Sequence, residues 1–203
     1  MSRLAASFVL GYHGCERAVG EQALSGDLSL TKSDRDYDWL GPGSYFWEAD
    51  PERAMEWAEW KVSRGTYNEP FVVGAVIDLG NCLDLMVREN LELLRWAHGA
   101  FTAAQTAANL PVPANKDAKA GTPGDKQLRF LDCAVIKHLH EMIDTQPEGG
   151  YPEVGEYVPP FDTVRGLFTE GAEVYEGGGF YERTHSQIAV RNDACIKGIF
   201  LPR

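Results

Sequence analysis

The chain has 203 residues, of which 44% are hydrophobic and 24% are charged, as is usual for a soluble globular protein. This length supports one core and is too short to assume a second, so we expect residues 1–203 to form a single catalytic domain. The formal net charge of −11 disfavours a protein that coats DNA or RNA, because an acidic surface repels phosphate backbones.

Short strands and helices alternate through the first half of the chain. Residues 7–12, 44–47 and 70–79 are predicted strands, and residues 16–24, 51–64 and 91–98 are predicted helices. Asp50 and Pro51 mark the start of the second helix, since an aspartate caps free amides and a proline fits the first turn. The segment 70–79 is rich in β-branched side chains, which is typical of a buried strand.

The second half is irregular except for one helix and a group of strands. We expect residues 99–125 and 145–160 to be irregular, because glycine and proline interrupt both segments. Between them, residues 127–143 place apolar side chains at helical spacing and predict an amphipathic helix. Predicted strands follow at residues 163–168, 187–191 and 195–201, with a glycine-rich loop at residues 169–186. This order predicts an α+β fold with a mainly antiparallel β-sheet core and flanking helices.

Four further features of the sequence favour a cytoplasmic protein without a metal. No apolar run is long enough to span a bilayer, so we expect no membrane association. Residues 1–10 lack a convincing cleavage site and lead into a predicted strand. Four widely spaced cysteines are typical of reduced thiols. His138 and His140 lie two apart on a predicted helix and point to different faces, so we expect no metal site.

Three short motifs carry candidate chemistry, and the first is residues 11–14 (GYHG), at the predicted end of the first strand. His13 can donate a hydrogen bond or act as a base. Gly14 lets a ligand approach the main chain closely. A histidine at a strand end often has a structural role instead, and this alternative stays open.

The second motif is residues 37–48 (YDWLGPGSYFWE), which crowds aromatic residues around two glycines. Aromatic faces suit a flat heterocycle, and glycines at positions 41 and 43 suit a tight turn beside it. A small aromatic core under a loop is the alternative interpretation.

The third motif is residues 185–191 (HSQIAVR). Strand alternation places Gln187, Ala189 and Arg191 on one face, and Ile188 and Val190 on the other. Because the apolar pair faces the core, we expect Gln187 to point towards a loop or cleft. An ordinary surface strand is the alternative here.

Together these motifs resemble the diphtheria-toxin-like and PARP-like branch of the ADP-ribosyltransferase superfamily. That branch carries a histidine followed by glycine on a strand, a tyrosine in a G-x-G-x-Y-F strand before a helix, and a glutamate on a late strand. Residues 12–14 match the first element, residues 41–46 match the second, and Gln187 takes the place of the glutamate. The resemblance covers the first third and both ends of the chain, whereas residues 86–158 match no pattern of the family.

The resemblance implies a split sheet, NAD⁺ as substrate, and roles for individual residues. His13 would hydrogen-bond the ribose on the nicotinamide side, and the main chain of Gly14 would hold the carboxamide. Tyr45 would stack on the nicotinamide ring, with Trp57 as the opposite aromatic wall. The implied NAD-binding positions are Tyr12, Gly14, Gly43, Phe46 and Trp57. We expect the implied catalytic residues, His13, Tyr45 and Gln187, to line one cleft.

Gln187 is the main departure from the family pattern. A glutamate there stabilises an oxocarbenium-like transition state, and a neutral glutamine does so less well, although its oxygen still accepts a hydrogen bond. This favours mono-transfer, slow turnover or loss of activity over polymer synthesis. Glu182, in the loop before Gln187, is the acidic residue that we expect to compensate, and the loop at residues 169–186 would meet the acceptor.

The expected function is NAD-dependent mono-ADP-ribosylation of a protein, nucleic-acid or small-molecule acceptor, with release of nicotinamide. The expected setting is a bacterial toxin or defence effector with a possible antitoxin partner. One alternative, a non-catalytic module that binds NAD or ADP-ribose, is kept open by Gln187. The other, an RNA 2′-phosphotransferase-like enzyme, needs a basic groove that a net charge of −11 disfavours.

Overall fold

A computed structural model describes residues 8–27, 30–117, 125–154 and 157–203. Ser7, the predicted first residue of the first strand, and parts of the two predicted irregular segments lie outside these residues. Seven strands in the described part form one sheet: β1 (Phe8–Glu16), β2 (Ser44–Glu48), β3 (Pro70–Asp78), β4 (Cys82–Asp84), β5 (Thr163–Phe168), β6 (His185–Val190) and β7 (Ile196–Phe200). Their order across the sheet is β4-β5-β6-β2-β1-β3-β7.

Every neighbouring pair of strands is antiparallel except β4 and β5. The sheet is flanked by four helices in the described ranges: α1 (Arg17–Ser25), α2 (Pro51–Ser63), α3 (Arg88–Ala107) and α4 (Phe130–Asp144). The predicted α+β fold, with a mainly antiparallel sheet and flanking helices, is therefore confirmed.

Helix α2 begins as the sequence predicts. The Asp50 carboxylate accepts a hydrogen bond from the main-chain N–H of Arg53 at 2.9 Å, and Pro51 occupies the first turn. Helix α3 differs from the prediction, because it continues through residues 99–107, which we expected to be irregular. That stretch contains four alanines, the residue with the highest helix propensity, and Gly99 is tolerated within it.

Both faces of the sheet are buried, and we name them by the helix that each carries. On the α1 face, Phe46, Val73 and Ile188 pack with Ala23 of α1. On the α2 face, one cluster joins Trp47 to Ala54 of α2, and a larger one covers β4, β5 and β6 with side chains of α3 and α4. Ala189, on the same face of β6 as Gln187, is fully buried in that larger cluster.

The junction between β1 and β2 is narrow. All nine residues of β1 pair with β3, whereas only Gly11 and Tyr12 pair with β2, opposite Glu48 and Trp47. The ladder between these two central strands therefore ends just before His13. The chain was expected to leave the first strand at Tyr12, but β1 continues to Glu16 along β3 instead. Among the described helices, none is long and apolar enough to cross a bilayer.

Candidate active site

The three motifs lie on three adjacent strands at the centre of the sheet, in the order β6, β2, β1. Trp47 of β2 is paired with Gln187 on one side and with Tyr12 on the other. Neighbouring strands are about 4.8 Å apart, so β6 and β1 are separated by roughly 10 Å. The topology thus brings together residues that are far apart in the sequence.

The register decides which of the predicted residues share a face. Tyr45 and Gln187 both project from the α2 face, because Trp47 is opposite Gln187 and Tyr45 lies two residues from Trp47. His13 projects from the α1 face, and its ring centre is 5.6 Å from that of Phe46. The expectation that His13, Tyr45 and Gln187 line one cleft is therefore wrong, since Tyr12, not His13, is opposite Trp47.

His13 joins β1 to β2 where the ladder has ended. Its Nδ1 lies 2.7 Å from the carbonyl oxygen of Tyr45, so Nδ1 carries the proton and donates it. Burial lowers the pKa of His13, which keeps the ring neutral near pH 7. The side chain therefore supplies a hydrogen bond to the main chain of β2 just beyond the ladder between β1 and β2.

Tyr45 supports the turn that precedes β2. Its hydroxyl donates to the carbonyl oxygen of Gly41 at 2.8 Å and accepts from the N–H of Leu40 at 3.1 Å. Gly41 has a φ of +75°, a conformation that glycine adopts without strain. Burial raises the pKa of Tyr45, so its hydroxyl stays protonated. The ring packs partly against the α3–α4 cluster.

Gln187 is held by a tryptophan that the sequence did not connect to it. The indole N–H of Trp39 donates to Oε1 of Gln187 at 2.6 Å. The Trp39 ring lies directly over Gly166, where any side chain would collide with it, and packs edge-on against Phe168 at 5.3 Å. The Arg129 guanidinium covers both rings, at 4.7 Å from Trp39 and 4.6 Å from Phe168. The oxygen expected to face a ribose is therefore hydrogen-bonded within the protein.

The two glycines expected to contact the ligand have packing roles. A Cβ on Gly14 would collide with the main-chain oxygen of Ala54, so its absence lets α2 lie directly on β1. A Cβ on Gly43 would come within 2.9 Å of the Val190 carbonyl oxygen, and Gly43 also pairs with the main chain of Ser33. Packing within the protein is therefore enough to explain glycine at both positions.

The aromatic residues expected at the NAD site differ in their surroundings. Phe46 is fully buried in the α1-face core and presents no surface to a ligand. Tyr12 lies on the α2 face and meets the edge of Phe200 at 6.2 Å. Trp57 stacks on Trp60 at 5.0 Å and lies 5.9 Å from Trp47. Of these residues, Tyr12 and Trp57 are on the same side of the sheet as Gln187.

A second group of residues on the α2 face forms what we call the Trp47 cluster: Trp47, Arg53, Glu170 and His185. The ring centres of Trp47 and His185 are 6.3 Å apart, and the Arg53 guanidinium carbon is 5.7 Å from the centre of the Trp47 ring. Arg53 Nη2 is 2.7 Å from Glu170 Oε2. Trp47 and His185 lie within the second and third motifs. Their residue types alone did not identify them as site residues.

Three nitrogen atoms of this cluster are buried without a hydrogen-bond partner among the residues that the structure describes: Nε1 of Trp47, Nε of Arg53 and Nε2 of His185. Trp47 is 4% exposed and His185 is 5% exposed. His185 Nδ1 is 2.7 Å from the carbonyl oxygen of Arg183, and burial lowers the pKa of the ring, which leaves Nε2 as an acceptor. Buried polar groups are normally paired, so this cluster is a candidate ligand site.

Comparison with known proteins found no family model, no curated protein and no solved structure that matches this chain. The resemblance to the ADP-ribosyltransferases therefore depends on the three motifs. Their neighbouring positions in the sheet, with Trp47 paired between Gln187 and Tyr12, favour it. The projection of His13 and Gln187 from opposite faces does not favour it.

Proposed function

We propose that the chain binds NAD⁺ on the α2 face of the sheet and transfers ADP-ribose to an acceptor, with release of nicotinamide. The observation that supports this proposal is the adjacency of β6, β2 and β1, the three strands that carry the motifs of the resemblance. Gln187, Trp47 and Tyr12 form one row across these strands. The row joins one residue of each of the three motifs on the α2 face.

In the proposed reaction, the bond between nicotinamide and C1′ of the ribose breaks and its electron pair returns to the nicotinamide ring. Nicotinamide leaves as a neutral molecule, so the reaction needs no strong general acid. The acceptor's nucleophile forms a bond to C1′ and loses its proton. Positive charge develops on the ribose, and the amide dipole of Gln187 stabilises that charge less than a carboxylate would.

His13 has a supporting role in this proposal. Its hydrogen bond to the Tyr45 carbonyl oxygen comes from the opposite face and holds β2 in position. A residue that acts through the main chain of β2 is a positioning residue, because it fixes Tyr45 without contacting the reacting atoms. This role replaces the direct ribose contact that the resemblance implies.

A second candidate is a module that binds NAD or ADP-ribose without turnover. The observation that favours it is the hydrogen bond from Trp39 to Oε1 of Gln187, which occupies the acceptor oxygen of a side chain that is already neutral. Binding across the central row needs no charged residue at position 187, whereas fast transfer does.

We also propose the biological setting that the resemblance suggests: a cytoplasmic bacterial toxin or defence effector, with an antitoxin as a protein partner. The net charge of −11 favours a protein or small-molecule acceptor over a nucleic acid. Co-purification with a protein encoded beside it would support the antitoxin, and growth arrest on expression would support the toxin.

The test is incubation with NAD⁺ and a cell lysate, with free nicotinamide and any adduct of ADP-ribose mass followed by mass spectrometry. Thermal unfolding with and without NAD⁺ is measured in parallel, because a ligand that binds only the native state raises the melting temperature. Nicotinamide release supports the transferase, and a thermal shift without release supports the binding module. Neither a shift nor release at millimolar NAD⁺ contradicts both.

A further inference from the structure

The Trp47 cluster contains hydrogen-bond donors whose surroundings call for an oxygen acceptor. The indole Nε1 of Trp47 and the Nε of Arg53 are donors only, and both are buried without a partner among the described residues. A buried donor costs free energy unless a ligand or an ordered water pairs with it. Arg53 also brings a positive charge to this point, so the acceptor that suits the cluster best is an anionic oxygen.

Glu170 supplies an anion to this site from within the chain. Its Oε2 lies 2.7 Å from Arg53 Nη2, and the two side chains are 17% and 13% exposed. The pair satisfies one edge of the guanidinium, while its Nε remains without a partner in the described part of the protein. The carboxylate is thus bound by only part of the donor set that the cluster offers.

His185 completes the environment on the strand side. Its Nδ1 donates to the carbonyl oxygen of Arg183, so a neutral ring leaves a lone pair on Nε2, which is buried without a partner among the described residues. A phosphorylated ligand with a neighbouring hydroxyl fits these atoms, since its P–O⁻ oxygens accept from Trp47 and Arg53 while the hydroxyl donates to His185. In a nucleotide, whose phosphodiester groups carry no proton at neutral pH, a ribose hydroxyl supplies that donor.

We propose that the Trp47 cluster is a phosphate-binding site for a nucleotide ligand and that the bound phosphate displaces the Glu170 carboxylate from Arg53. The identification of the ligand as a nucleotide rests on the proposed function, whereas the recognition of phosphate rests on the cluster alone. In NAD⁺ the phosphate in question is the pyrophosphate between the two nucleosides.

Displacement of Glu170 loosens a hairpin that is tied to α2 by ion pairs. Residues 170–183 form the hairpin, in which the N–H of Arg183 donates to the carbonyl oxygen of Glu170 at 2.9 Å. Two ion pairs tie it to α2: Arg53 with Glu170, and Arg183 with Glu56 at 3.6 Å. The second pair is solvent-exposed and contributes little, so release of Glu170 removes the stronger tie.

The first experiment measures binding of inorganic pyrophosphate and of NAD⁺ by titration calorimetry. Glu170→Gln, which removes the competing charge and keeps the shape, is expected to bind both ligands about tenfold more tightly than wild type. Arg53→Gln is expected to bind both about tenfold more weakly. Glu176→Gln removes the same charge from an exposed position of the hairpin and is expected to match wild type.

The choice of ligands separates the source of the phosphate. Nicotinamide riboside lacks phosphate, so its binding should not respond to Glu170→Gln. Equal gains for pyrophosphate and NAD⁺ support a nucleotide phosphate, and a gain for pyrophosphate alone assigns the site to free inorganic phosphates and contradicts the nucleotide part of the proposal.

The second experiment follows tryptic cleavage at Arg183, at the base of the hairpin. Pyrophosphate should speed this cleavage in wild type, and Glu170→Gln should be cleaved fast without it. Equal pyrophosphate affinity in wild type, Glu170→Gln and Arg53→Gln would overturn the proposal, as would no binding to Glu170→Gln at millimolar pyrophosphate. Pyrophosphate binding without any nicotinamide release would leave this site intact and contradict only the transferase. If Arg53→Gln fails to fold, the comparison of Glu170→Gln with Glu176→Gln decides alone.

Discussion

The indole N–H of Trp39 donates to Oε1 of Gln187 over 2.6 Å and joins residues that are 148 positions apart in the sequence. The Trp39 ring is itself held between Gly166, which it packs on, and the Arg129 guanidinium, which lies over it. This hydrogen bond orients the amide of Gln187 with its oxygen towards Trp39. Any chemistry proposed for Gln187 depends on this contact.

Trp39→Phe keeps a ring over Gly166 and removes the donor to Gln187. If the chain is a transferase, we expect kcat to fall about tenfold with little change in NAD⁺ affinity, because the variant loses only the group that orients Gln187. Steady-state release of nicotinamide measures both constants. Trp60→Phe, at a half-exposed position of α2, is the matched control. An equal loss of kcat in both variants would show that Trp39 has no specific role.

Substitutions of Gln187 separate an enzyme from a binding module. Gln187→Ala should lower turnover much more than NAD⁺ affinity, since a contact to the ribose strengthens in the transition state. Gln187→Glu restores the carboxylate of the related enzymes, still accepts from Trp39, and should increase NAD⁺ hydrolysis in a slow enzyme. Nicotinamide release is the measurement for both. No release from wild type or from Gln187→Glu, with NAD⁺ still bound, would identify a binding module.

His13→Ala removes the side chain that bridges β1 and β2 beyond their ladder. The Tyr45 carbonyl oxygen then loses its partner, and we expect the free energy of unfolding to fall by about 1–3 kcal/mol. Urea unfolding measures this change, and His98→Ala, on the exposed side of α3, is the control. A variant with wild-type stability that no longer binds NAD⁺ would instead support the direct ribose contact implied by the resemblance.

Gly14→Ala tests the close contact between α2 and β1. The added methyl group would collide with the main-chain oxygen of Ala54, which cannot rotate away, so the helix must shift. We expect a loss of stability of about 3 kcal/mol, within the range that overpacking causes. Gly198→Ala on β7 meets no atom within 4 Å and is the matched control in the same urea experiment. A stability equal to that of the control would contradict the tight packing.

His140 should make stability depend on pH. Burial lowers its pKa from 6.5 to about 3, so the unfolded chain takes up a proton below pH 6.5 that the folded chain does not. The free energy of unfolding therefore decreases as the pH is lowered from 6.5 towards 3, by at most about 1.4 kcal/mol per pH unit. His140→Leu should reduce the difference in urea midpoint between pH 7 and pH 5. The same difference in wild type and variant would show that other groups, such as His13 and His185, account for it.

Local signals in the sequence predicted most of the elements. The cap at Asp50 and Pro51 identified the start of α2, and β-branched residues identified β3. Strand β4 was missed, since three residues, Cys82–Asp84, show no periodicity and pair only with β5, which is distant in the chain. The end of α3 was missed because Gly99 was taken as a breaker within an alanine-rich stretch.

The candidate site was harder to predict, because its geometry depends on register. Alternation in the sequence correctly placed the side chains of Gln187 and Ile188 on opposite faces of β6. It could not show that β1 pairs with β2 through Tyr12 and Trp47, and a shift by one residue decides which face receives His13. The contact between Trp39 and Gln187 and the pairing of Arg53 with Glu170 link distant segments, so no local pattern reveals them.

The position of β2 at the centre of the sheet has a consequence for the order in which the protein is made. One neighbour, β1, leaves the ribosome before β2, but the other, β6, is among the last strands to be synthesised. The hydroxyl of Ser186 on β6 donates a hydrogen bond to the carboxylate of Glu48 on β2, 138 positions away in the sequence. Until β6 has been synthesised, one edge of β2, next to Phe46 and Trp47, lacks its partner strand. Unpaired strand edges promote aggregation. Truncated chains that end before β6 should therefore need chaperones, whereas the complete chain covers that edge itself.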